Sequence, residues 1–416
     1  KSRLVITNHD ATSFPLVMSA DNKFDRVLCD VMCSGDGTLR KSVDLWARWN
    51  PLMGAHLHEQ QARVLMRGMG LCKEGGIVVY STCSMNPVED EAVIARCLRE
   101  AGGAFELIDP QEQLADLKMY HGMASWTLLT PNGEAEIHNT GAESKLTLDK
   151  QPCSGEAAPS QEGDQTSKPP RRGAKAKFTY TSSMFPPEAT ESESLRLERC
   201  VRVAPHLQDT GGFFIAGLRC LRELPNTVSI SHRAKYTCHF VPLSDDVLAD
   251  VRKGVTLPDS FPFHRLFCNP ETSRTPKIYY LAEDCAKSVS SINAKIVQVG
   301  VKVFESQVKH SWAHSRVAAD GAATLAPLLG DLLLRTSAAH VLRAVGNIAA
   351  APPKSFTVDG DHVRDFTEYC PPEIPTSGVV EVDCGESIGK IYLPFDTHRG
   401  FTVHLTPTQH TLLLVS

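Results

Sequence analysis

Apolar and polar positions in the first half of the chain alternate between strand-like and helix-like periods. Arg3–Thr7 and Phe24–Val31 are short apolar runs, typical of buried strands. From Leu57 to Leu71 the apolar residues recur at helical spacing, and Ile77–Tyr80 is a third strand-like run. Asn86-Pro87, followed by three acidic residues, predicts the start of another helix. Strands alternating with helices predict βαβ units, an α/β class and a parallel sheet.

The amino-acid composition changes farther along the chain, and the changes predict an insertion and a linker. Residues 131–176 are rich in Gly, Ser, Gln, Glu and Pro, which predicts a disordered insertion. The insertion ends in the basic stretch Lys168–Lys177, interpreted as a solvated linker in preference to a phosphate-binding or targeting segment. Residues 222–234 are predicted to be a second linker.

Beyond that linker, short alternating runs such as Lys295–Val299 and Gly389–Leu393 predict a small β-rich domain. The sequence therefore predicts a catalytic domain over residues 1–221, interrupted by the insertion, and a C-terminal domain over residues 235–416. A length of 416 residues agrees with two or three domains.

Charge and cysteine content narrow the function classes. A net charge of −5 does not by itself indicate a nucleic-acid-binding protein, and no apolar run is long enough to predict a membrane span. The chain begins at Lys1 with no leader, so we expect a fragment that lacks its true N-terminus. Thirteen cysteines without a secretory leader favour reduced thiols in the nucleus or cytosol, and the absence of C-x-x-C spacing argues against a structural metal.

Four residues follow the predicted strands. Asp10 comes after the first, Asp30 and Cys33 after the second, and Cys83 after the third. Ligands of parallel α/β sheets bind beyond the carboxyl ends of the strands, so we expect these side chains to meet at one edge. Most cysteines are buried small apolar residues. Cys33 and Cys83 differ because each lies in a polar turn.

Paired cysteines at such an edge are compatible with three chemistries. A redox disulfide usually has C-x-x-C spacing, and a cysteine hydrolase needs a histidine with a recognisable signature; His9 and His56 provide none. The third is methylation of carbon 5 of a pyrimidine. A thiolate that adds to carbon 6 makes carbon 5 nucleophilic, an acid near ring nitrogen 3 stabilises the adduct, and a base then removes the carbon-5 proton. Asp30 lies where such an acid is needed, and a second cysteine can assist release.

Two segments carry a specific resemblance. Asp30-Val-Met-Cys-Ser-Gly-Asp-Gly-Thr-Leu-Arg-Lys41 and Tyr80-Ser-Thr-Cys-Ser-Met-Asn-Pro-Val-Glu-Asp-Glu-Ala-Val-Ile94 closely resemble two signature motifs of the Nop/Sun family of RNA 5-methylcytosine methyltransferases. Asn8–Ala11, Met184–Pro187 and Gln208–Phe214 resemble further family segments in the same order. The residues of these segments are most similar to those of the eukaryotic tRNA branch, and this resemblance covers about residues 1–220. The remainder resembles that branch's C-terminal PUA-like domain in layout.

The resemblance implies a Rossmann-like core that binds S-adenosylmethionine and methylates tRNA, with a β-rich PUA-like domain that binds RNA. By position, Cys83 is then the nucleophile and Cys33 assists product release. Asp10 is expected to contact the adenosine of the cofactor. Asp30 is expected to lie between cofactor and target base, so both catalytic and cofactor-binding roles stay open. We further expect a monomer without metal or membrane contact, located in the nucleus and secondarily in the cytoplasm.

Departures from the family pattern keep one alternative open, the inactive scaffold, and a second alternative lies within the family itself. Met32 replaces the usual proline before Cys33, which removes a fixed φ and predicts slower release. The Gly-rich cofactor loop is expected upstream of Lys1, so this chain alone is expected to bind cofactor poorly. The alternatives are an rRNA cytosine-5 methyltransferase and a catalytically inactive RNA-binding scaffold.

Trp46 and Trp49 are interpreted as packing residues in preference to base-stacking residues, and His206 as a structural hydrogen bonder.

Overall fold

The computed structural model describes most of both halves of the chain. The described residues are 2–15, 23–110, 114–129, 136–137, 144–146, 178–224, 240–269, 277–289, 295–306, 313–345, 355–358, 363–371, 374–375, 377–397 and 401–405, with single positions at 308, 311, 409 and 412. The predicted insertion lies outside them except for two short strands, and the predicted linker lies outside them beyond Leu224. Two compact units result: Asp10–Ser231 is the first unit, and His232–Ser416 with Lys1–His9 is the second.

The first half of the chain alternates strands and helices. In chain order these are β1 (Val5–Thr7), β2 (Phe24–Asp30), α1 (Leu45–Arg48), α2 (Pro51–Leu71), β3 (Cys72–Thr82), α3 (Glu91–Ala101), β4 (Phe105–Leu107), β5 (Tyr120–His121), β6 (Leu128–Leu129), β7 (Glu136–Ile137), β8 (Ser144–Leu146), β9 (Phe178–Tyr180), α4 (Ala189–Leu195), β10 (Val201–Val203), α5 (Pro205–Gln208) and β11 (Phe213–Cys220).

The main sheet of the first unit is mixed. Its strand order is β2-β3-β11-β10-β5, with β4 also paired to β11. Strands β2 and β3 are parallel and joined by α2, which is the predicted βαβ unit. The pairs β3–β11 and β10–β11 are antiparallel, so the expectation of a wholly parallel sheet is wrong. For β10 and β11 the physical reason is connection length, because a short link returns the chain as an antiparallel neighbour, whereas a parallel neighbour needs a crossover. Strands β3 and β11 are far apart in the chain, so their direction is not set by a link of this kind.

Local sequence signals explain the two long helices. Asn50 caps α2 by accepting a hydrogen bond from the Leu52 amide, and Pro51 occupies the first turn. Helix α3 begins at Glu91, later than the predicted start at Asn86-Pro87. The Asn86 side chain instead accepts from the Val88 amide at 3.1 Å, which closes a turn before the helix begins.

The core of the first unit lies between the sheet and these helices. Its fully buried side chains include Leu65 and Met69 of α2, Tyr80 of β3, Ile94 of α3 and Phe214 of β11. Burial of each large apolar side chain contributes about 1.5–3 kcal/mol, so this layer fixes how β2 and β3 end at the same edge.

Strand β1 differs from the sequence-based prediction. It does not join the sheet of β2 and β3 but pairs antiparallel with residues 296–299 in the second unit, with Val5 opposite Val299. A three-residue strand has no stability of its own and depends on a partner with free backbone groups. Asp10 therefore does not follow a strand of the sheet that carries Asp30, which corrects that expectation.

The second unit is rich in strands. After the segment that carries β1, its elements are β12 (Val241–Pro242), α6 (Asp245–Gly254), β13 (Leu266–Cys268), β14 (Lys277–Tyr280), α7 (Glu283–Ser288), β15 (Ile296–Val299), β16 (Val301–Ser306), β17 (Ser315–Val317), α8 (Ala322–Leu329), β18 (Leu334–Ser337), α9 (Ala338–Val345), β19 (Ser355–Val358), α10 (Val363–Phe366), β20 (Ser377–Asp383), β21 (Lys390–Asp396) and β22 (Phe401–His404). Two five-stranded sheets run β12-β13-β14-β16-β17 and β18-β20-β21-β22-β19. Within the described part of the chain, no helix is long and apolar enough to cross a membrane.

Candidate active site

The parallel pairing of β2 and β3 brings two turns together. Asp30 lies opposite Ser81 in the register, and the Val31 amide donates to the Ser81 carbonyl at 3.1 Å. Both strands therefore end at one edge, with Cys33 and Cys83 in the turns that follow. The sequence-based prediction of a shared edge for Asp30 and the two cysteines agrees with this geometry.

The sulfur atoms of Cys33 and Cys83 are 3.2 Å apart, within hydrogen-bonding distance. Both side chains are half-buried, whereas the other described cysteines of the first unit are buried. Burial raises the pKa of the thiols of Cys29 and Cys97, as expected for inert packing residues. The two cysteines selected from the sequence are thus the ones that face each other at the sheet edge.

The two thiols of the pair differ in acidity. A hydrogen bond from Cys33 lowers the pKa of Cys83 from 9.0 to about 7, against an opposing effect of burial. The same hydrogen bond, together with burial and the nearby Glu89, raises the pKa of Cys33. A hydrogen bond donated to a thiolate stabilises its charge, so the direction of the two shifts favours Cys83 as the thiol that ionises first.

The two predicted acids are placed differently. Asp30 is exposed at the end of β2 and accepts a hydrogen bond from the Ser81 hydroxyl at 2.8 Å. Its negative charge acts on Cys83 in the direction that raises the pKa of the thiol. Asp10 is also exposed, but it caps a short 3-10 helix by accepting from the amide and hydroxyl of Thr12 at 2.9 and 2.8 Å.

The backbone of the Cys83 turn is held by two glycines. The Gly37 amide donates to the Cys83 carbonyl at 3.0 Å, and the Gly212 amide donates to the Gly37 carbonyl at 2.7 Å. A Cβ on Gly37 would lie 2.7 Å from the carbonyl oxygens of both Cys83 and Gly212. This close approach explains the glycine after Asp36 and links the Cys33 segment, the Cys83 turn and the start of β11.

Several acids near the two cysteines, one partly buried and three fully buried, were not predicted as site residues from the sequence. Asp36 accepts from the Ser84 hydroxyl at 2.6 Å and from the Met85 amide at 3.0 Å. Glu89, Asp90 and Glu91 are fully buried, although they were interpreted as acids of a first helical turn. The serines and the threonine beside the cysteines were the feature of the sequence that could have indicated these acids, because buried hydroxyl groups need hydrogen-bond acceptors.

A buried ion pair stabilises the turn that carries Cys83. Arg202 of β10 donates to both carboxylate oxygens of Glu91, at 2.6 and 2.5 Å, and to the Met85 carbonyl at 2.9 Å. Asp90 accepts from the Thr82 hydroxyl at 2.8 Å. Burial and the neighbouring Glu91 raise the pKa of Asp90 well above its usual range. The Arg202 guanidinium also lies 3.5 Å from Asp90, so one buried cation serves both carboxyl groups.

The remaining residues singled out from the sequence have defined contacts. Trp46 is 69% exposed, so its interpretation as a packing residue is wrong. Trp49 is part-buried and donates to the Ser34 hydroxyl at 3.0 Å. The Met32 carbonyl accepts from Gln61 at 2.8 Å, which holds the turn where the family pattern has proline. His206 is hydrogen-bonded to the Tyr120 hydroxyl at 3.1 Å, in agreement with a structural role.

A cavity of about 250 Å³ opens beside the Cys83 turn. Its lining includes the aromatic side chains Trp49 and Tyr180, the apolar Met85 and Leu128, and the carboxylate Asp36. Aromatic and apolar walls of this kind are surfaces on which nucleobases stack.

Two segments of the chain match family models. Residues 1–127 match the 16S rRNA methyltransferase RsmB/F family, and residues 238–330 match the NSUN2 Pre-PUA domain. The chain is 39% identical over 228 residues to a tRNA (cytosine(34)-C(5))-methyltransferase of Drosophila melanogaster, covering 53% of this chain and 27% of that protein. It is 36% identical to multisite-specific tRNA:(cytosine-C(5))-methyltransferases of Schizosaccharomyces pombe and Saccharomyces cerevisiae, covering 52% and 51% of this chain and 29% and 27% of theirs.

Solved structures similar to the chain include a methyltransferase homologue from Pyrococcus horikoshii, with 23% identity, a TM-score of 0.24, and coverage of 48% of this chain and 40% of that one. Another is NSun6 from Pyrococcus horikoshii with SFG, with 16% identity, a TM-score of 0.25, and coverage of 49% and 34%.

These matches confirm the resemblance to Nop/Sun RNA methyltransferases that was recognised from the two cysteine motifs. The α/β class of the first unit and the β-rich class of the second are also confirmed, the latter with a Pre-PUA segment. The chain spans less than a third of the length of the curated relatives it matches.

Proposed function

We propose that this chain is the catalytic part of an S-adenosylmethionine-dependent tRNA (cytosine-5) methyltransferase, with Cys83 as the nucleophile. The observation that carries the proposal is the pair of half-buried thiols 3.2 Å apart, with a hydrogen bond that lowers the pKa of Cys83 to about 7. A thiol with this pKa is substantially ionised at neutral pH and is a competent nucleophile.

The reaction begins with Cys83. Its thiolate forms a bond to carbon 6 of the cytosine ring, and the electrons of the 5,6 double bond move toward carbon 4 and ring nitrogen 3. Nitrogen 3 takes up a proton from solvent, and a carboxyl group near it stabilises the adduct; Asp30 at the end of β2 has that role. The outcome is a nucleophilic carbon 5, which the free ring lacks.

Cys33 acts in the release step. After carbon 5 carries the methyl group, solvent water takes the carbon-5 proton and nitrogen 3 returns the proton that it gained, so that the 5,6 double bond re-forms and the Cys83 sulfur departs as a thiolate. Cys33 lies beside that sulfur and assists its departure. In the resting state the same thiol donates its hydrogen bond to Cys83 and prepares it for attack.

S-adenosylmethionine has hydrogen-bond donors that need acceptors, and the chain has carboxylates that can accept from them. Asp10 and Asp30 are exposed carboxylates and suit the amino and hydroxyl groups of S-adenosylmethionine. These two residues would hold the cofactor, which supplies the methyl group when it is bound.

The substrate is proposed to be tRNA because the similar curated proteins are named as tRNA enzymes, and residues 238–330 match a Pre-PUA domain. The second unit is proposed to contribute RNA affinity. We further propose that the protein acts as a monomer in the nucleus, with the cytoplasm as a second location.

The test is a change of Cys83 to Ala in the gene within cells, followed by bisulfite sequencing of tRNA and rRNA. Cys29→Ala is the matched control, because Cys29 is a buried cysteine of β2. We expect 5-methylcytosine to disappear from target tRNA in the Cys83 variant and to persist in the control. Methylation at even a tenth of the wild-type level contradicts the nucleophile assignment. Loss confined to rRNA would favour the rRNA alternative, and no loss would favour a scaffold.

A further inference from the structure

Each cysteine of the pair is followed by a serine, and both serines reach the same carboxylate. Ser34 follows Cys33 and Ser84 follows Cys83. The Ser34 amide donates to Oε1 of Glu89 at 2.7 Å, and the Ser34 hydroxyl donates to Oε2 at 2.5 Å. The Ser84 hydroxyl lies 2.9 Å from Oε2 of the same residue. One side chain thus joins the two turns that carry the reactive thiols.

The carboxylate of Glu89 is itself fixed in place. Gln61 of α2 donates from one amide nitrogen both to Oε1 of Glu89, at 3.1 Å, and to the Met32 carbonyl, at 2.8 Å. Glu89, Gln61 and Ser84 are fully buried, and Ser34 is nearly so. Hydrogen bonds to a buried carboxylate are charge-assisted and short, so this acceptor holds its donors in narrow geometry.

Helix α2 has a gap that matches this carboxylate. A Cβ on Gly54 would lie 2.5 Å from Oε2 of Glu89 and 2.4 Å from the Asn86 amide nitrogen. Gly54 is the fourth residue of α2, and glycine inside a helix is destabilising by about 1 kcal/mol relative to alanine. Its presence here is explained by the room that the Glu89 side chain needs against the helix backbone.

We propose that Glu89 is a positioning residue that holds the Cys33 and Cys83 turns in register and so sets the distance between the two thiols. The assignment rests on the proposed function, because it concerns the two cysteines of that reaction. Glu89 acts through the serines and does not contact the reacting atoms. The Gly37–Cys83 backbone hydrogen bond also joins the turns, so loss of Glu89 loosens the pair without separating it.

Bridging of the two thiols by dibromobimane measures their distance without RNA or cofactor. This reagent links two cysteines only when both sulfur atoms reach it together, and peptide mapping by mass spectrometry identifies the Cys33–Cys83 product. We expect the rate of this product to fall about five-fold or more in E89Q, because the amide replaces a carboxylate that accepts from Ser34 and lies within 2.9 Å of the Ser84 hydroxyl. We expect G54A to have the same effect, since the added methyl group displaces an unaltered Glu89.

Leu98→Ala is the matched control for stability. Leu98 is a buried residue of α3 in the same core, and its truncation destabilises the fold without changing a residue of either turn. We expect L98A to lower the thermal midpoint and leave the bridging rate unchanged. If E89Q fails to fold, the double variant S34A/S84A replaces it, because it removes the two hydroxyl donors and keeps the carboxylate.

Unchanged bridging in folded E89Q and in G54A would overturn the proposal. A fall in L98A equal to that in E89Q would also overturn it, because the effect would then follow from stability alone. The outcome is separable from the proposed function: bridging reports thiol geometry whether or not Cys83 methylates RNA, and the cell-based test of Cys83→Ala does not depend on Glu89.

Discussion

Removal of the Cys33 thiol should make Cys83 a weaker acid. The hydrogen bond from Cys33 is the largest influence that lowers the pKa of Cys83 from 9.0 to about 7, while burial acts in the opposite direction. In C33A that donor is absent, so the pKa of Cys83 should return to 9.0 or higher. The pKa of Cys83 therefore rises by about two units, and the thiolate loses roughly 3 kcal/mol of differential stabilisation.

The expected rates follow from the ionised fraction. At pH 7 a thiol of pKa 7 is half ionised, whereas a thiol of pKa 9 is about 1% ionised, so the thiolate population falls about 50-fold. A more basic thiolate is intrinsically more nucleophilic, by about 6- to 10-fold over two pKa units. The net result in C33A is alkylation of Cys83 about 5- to 8-fold slower at pH 7, and faster than wild type above about pH 8.

Iodoacetamide labelling over a range of pH measures this directly. Mass-spectrometric peptide mapping reports Cys83 separately from the other cysteines, and C29A is the control because its sulfur does not contact the pair. The rate curves of C33A and wild type should cross, with the midpoint for Cys83 near pH 7 in wild type and near 9 or above in C33A. A midpoint that stays near 7 in C33A would refute the reasoning, since the low pKa would then have another source.

Three further predictions concern the support of the site and the second unit. Arg202→Met should destabilise the first unit by about 3–5 kcal/mol in urea denaturation, because Glu91 and Asp90 lose their buried cation; a loss under about 1 kcal/mol would contradict the importance of the ion pair. Burial lowers the pKa of His58 from 6.5 to about 4, so protonation favours the unfolded state. The stability of wild type should therefore fall by up to roughly 3 kcal/mol between pH 6.5 and 4 relative to H58Q, and parallel pH profiles of the two would be evidence against this. Deletion of residues 235–416 should weaken tRNA binding and reduce its salt dependence while Cys83 alkylation is unchanged, and equal tRNA affinity would assign those residues a structural role.

Local patterns in the sequence predicted which two cysteines lie together at the sheet edge. Cys33 and Cys83 lie in polar turns just after apolar runs, and a parallel βαβ unit necessarily brings two such turns to one edge. Asp30 was placed for the same reason. These features depend on strand ends and on one crossover, which the period of apolar residues indicates directly.

Features that depend on distant pairing were not predictable in this way. The period of a strand does not say which strand it joins, so β1 was assigned to the wrong sheet and the direction of β11 was missed. Glu89 comes shortly after Asn86-Pro87, a position typical of an exposed acidic residue in the first turn of a helix. Its burial becomes evident only from the packing of α2 against the cysteine turns. Trp46 has the spacing of a packing residue, yet its helical turn leaves it in solvent.

The most direct test of the central claim is the identity of the atom that bonds to RNA. In C33A the adduct forms while release is slowed, so protein isolated from cells under denaturing conditions should carry covalently attached tRNA. Mass spectrometry of the digested complex should show the Cys83 peptide joined to a methylated cytidine, and the double variant C33A/C83A should carry none. An adduct that persists in the double variant, or that maps to another residue, would contradict the assignment of Cys83 as the nucleophile.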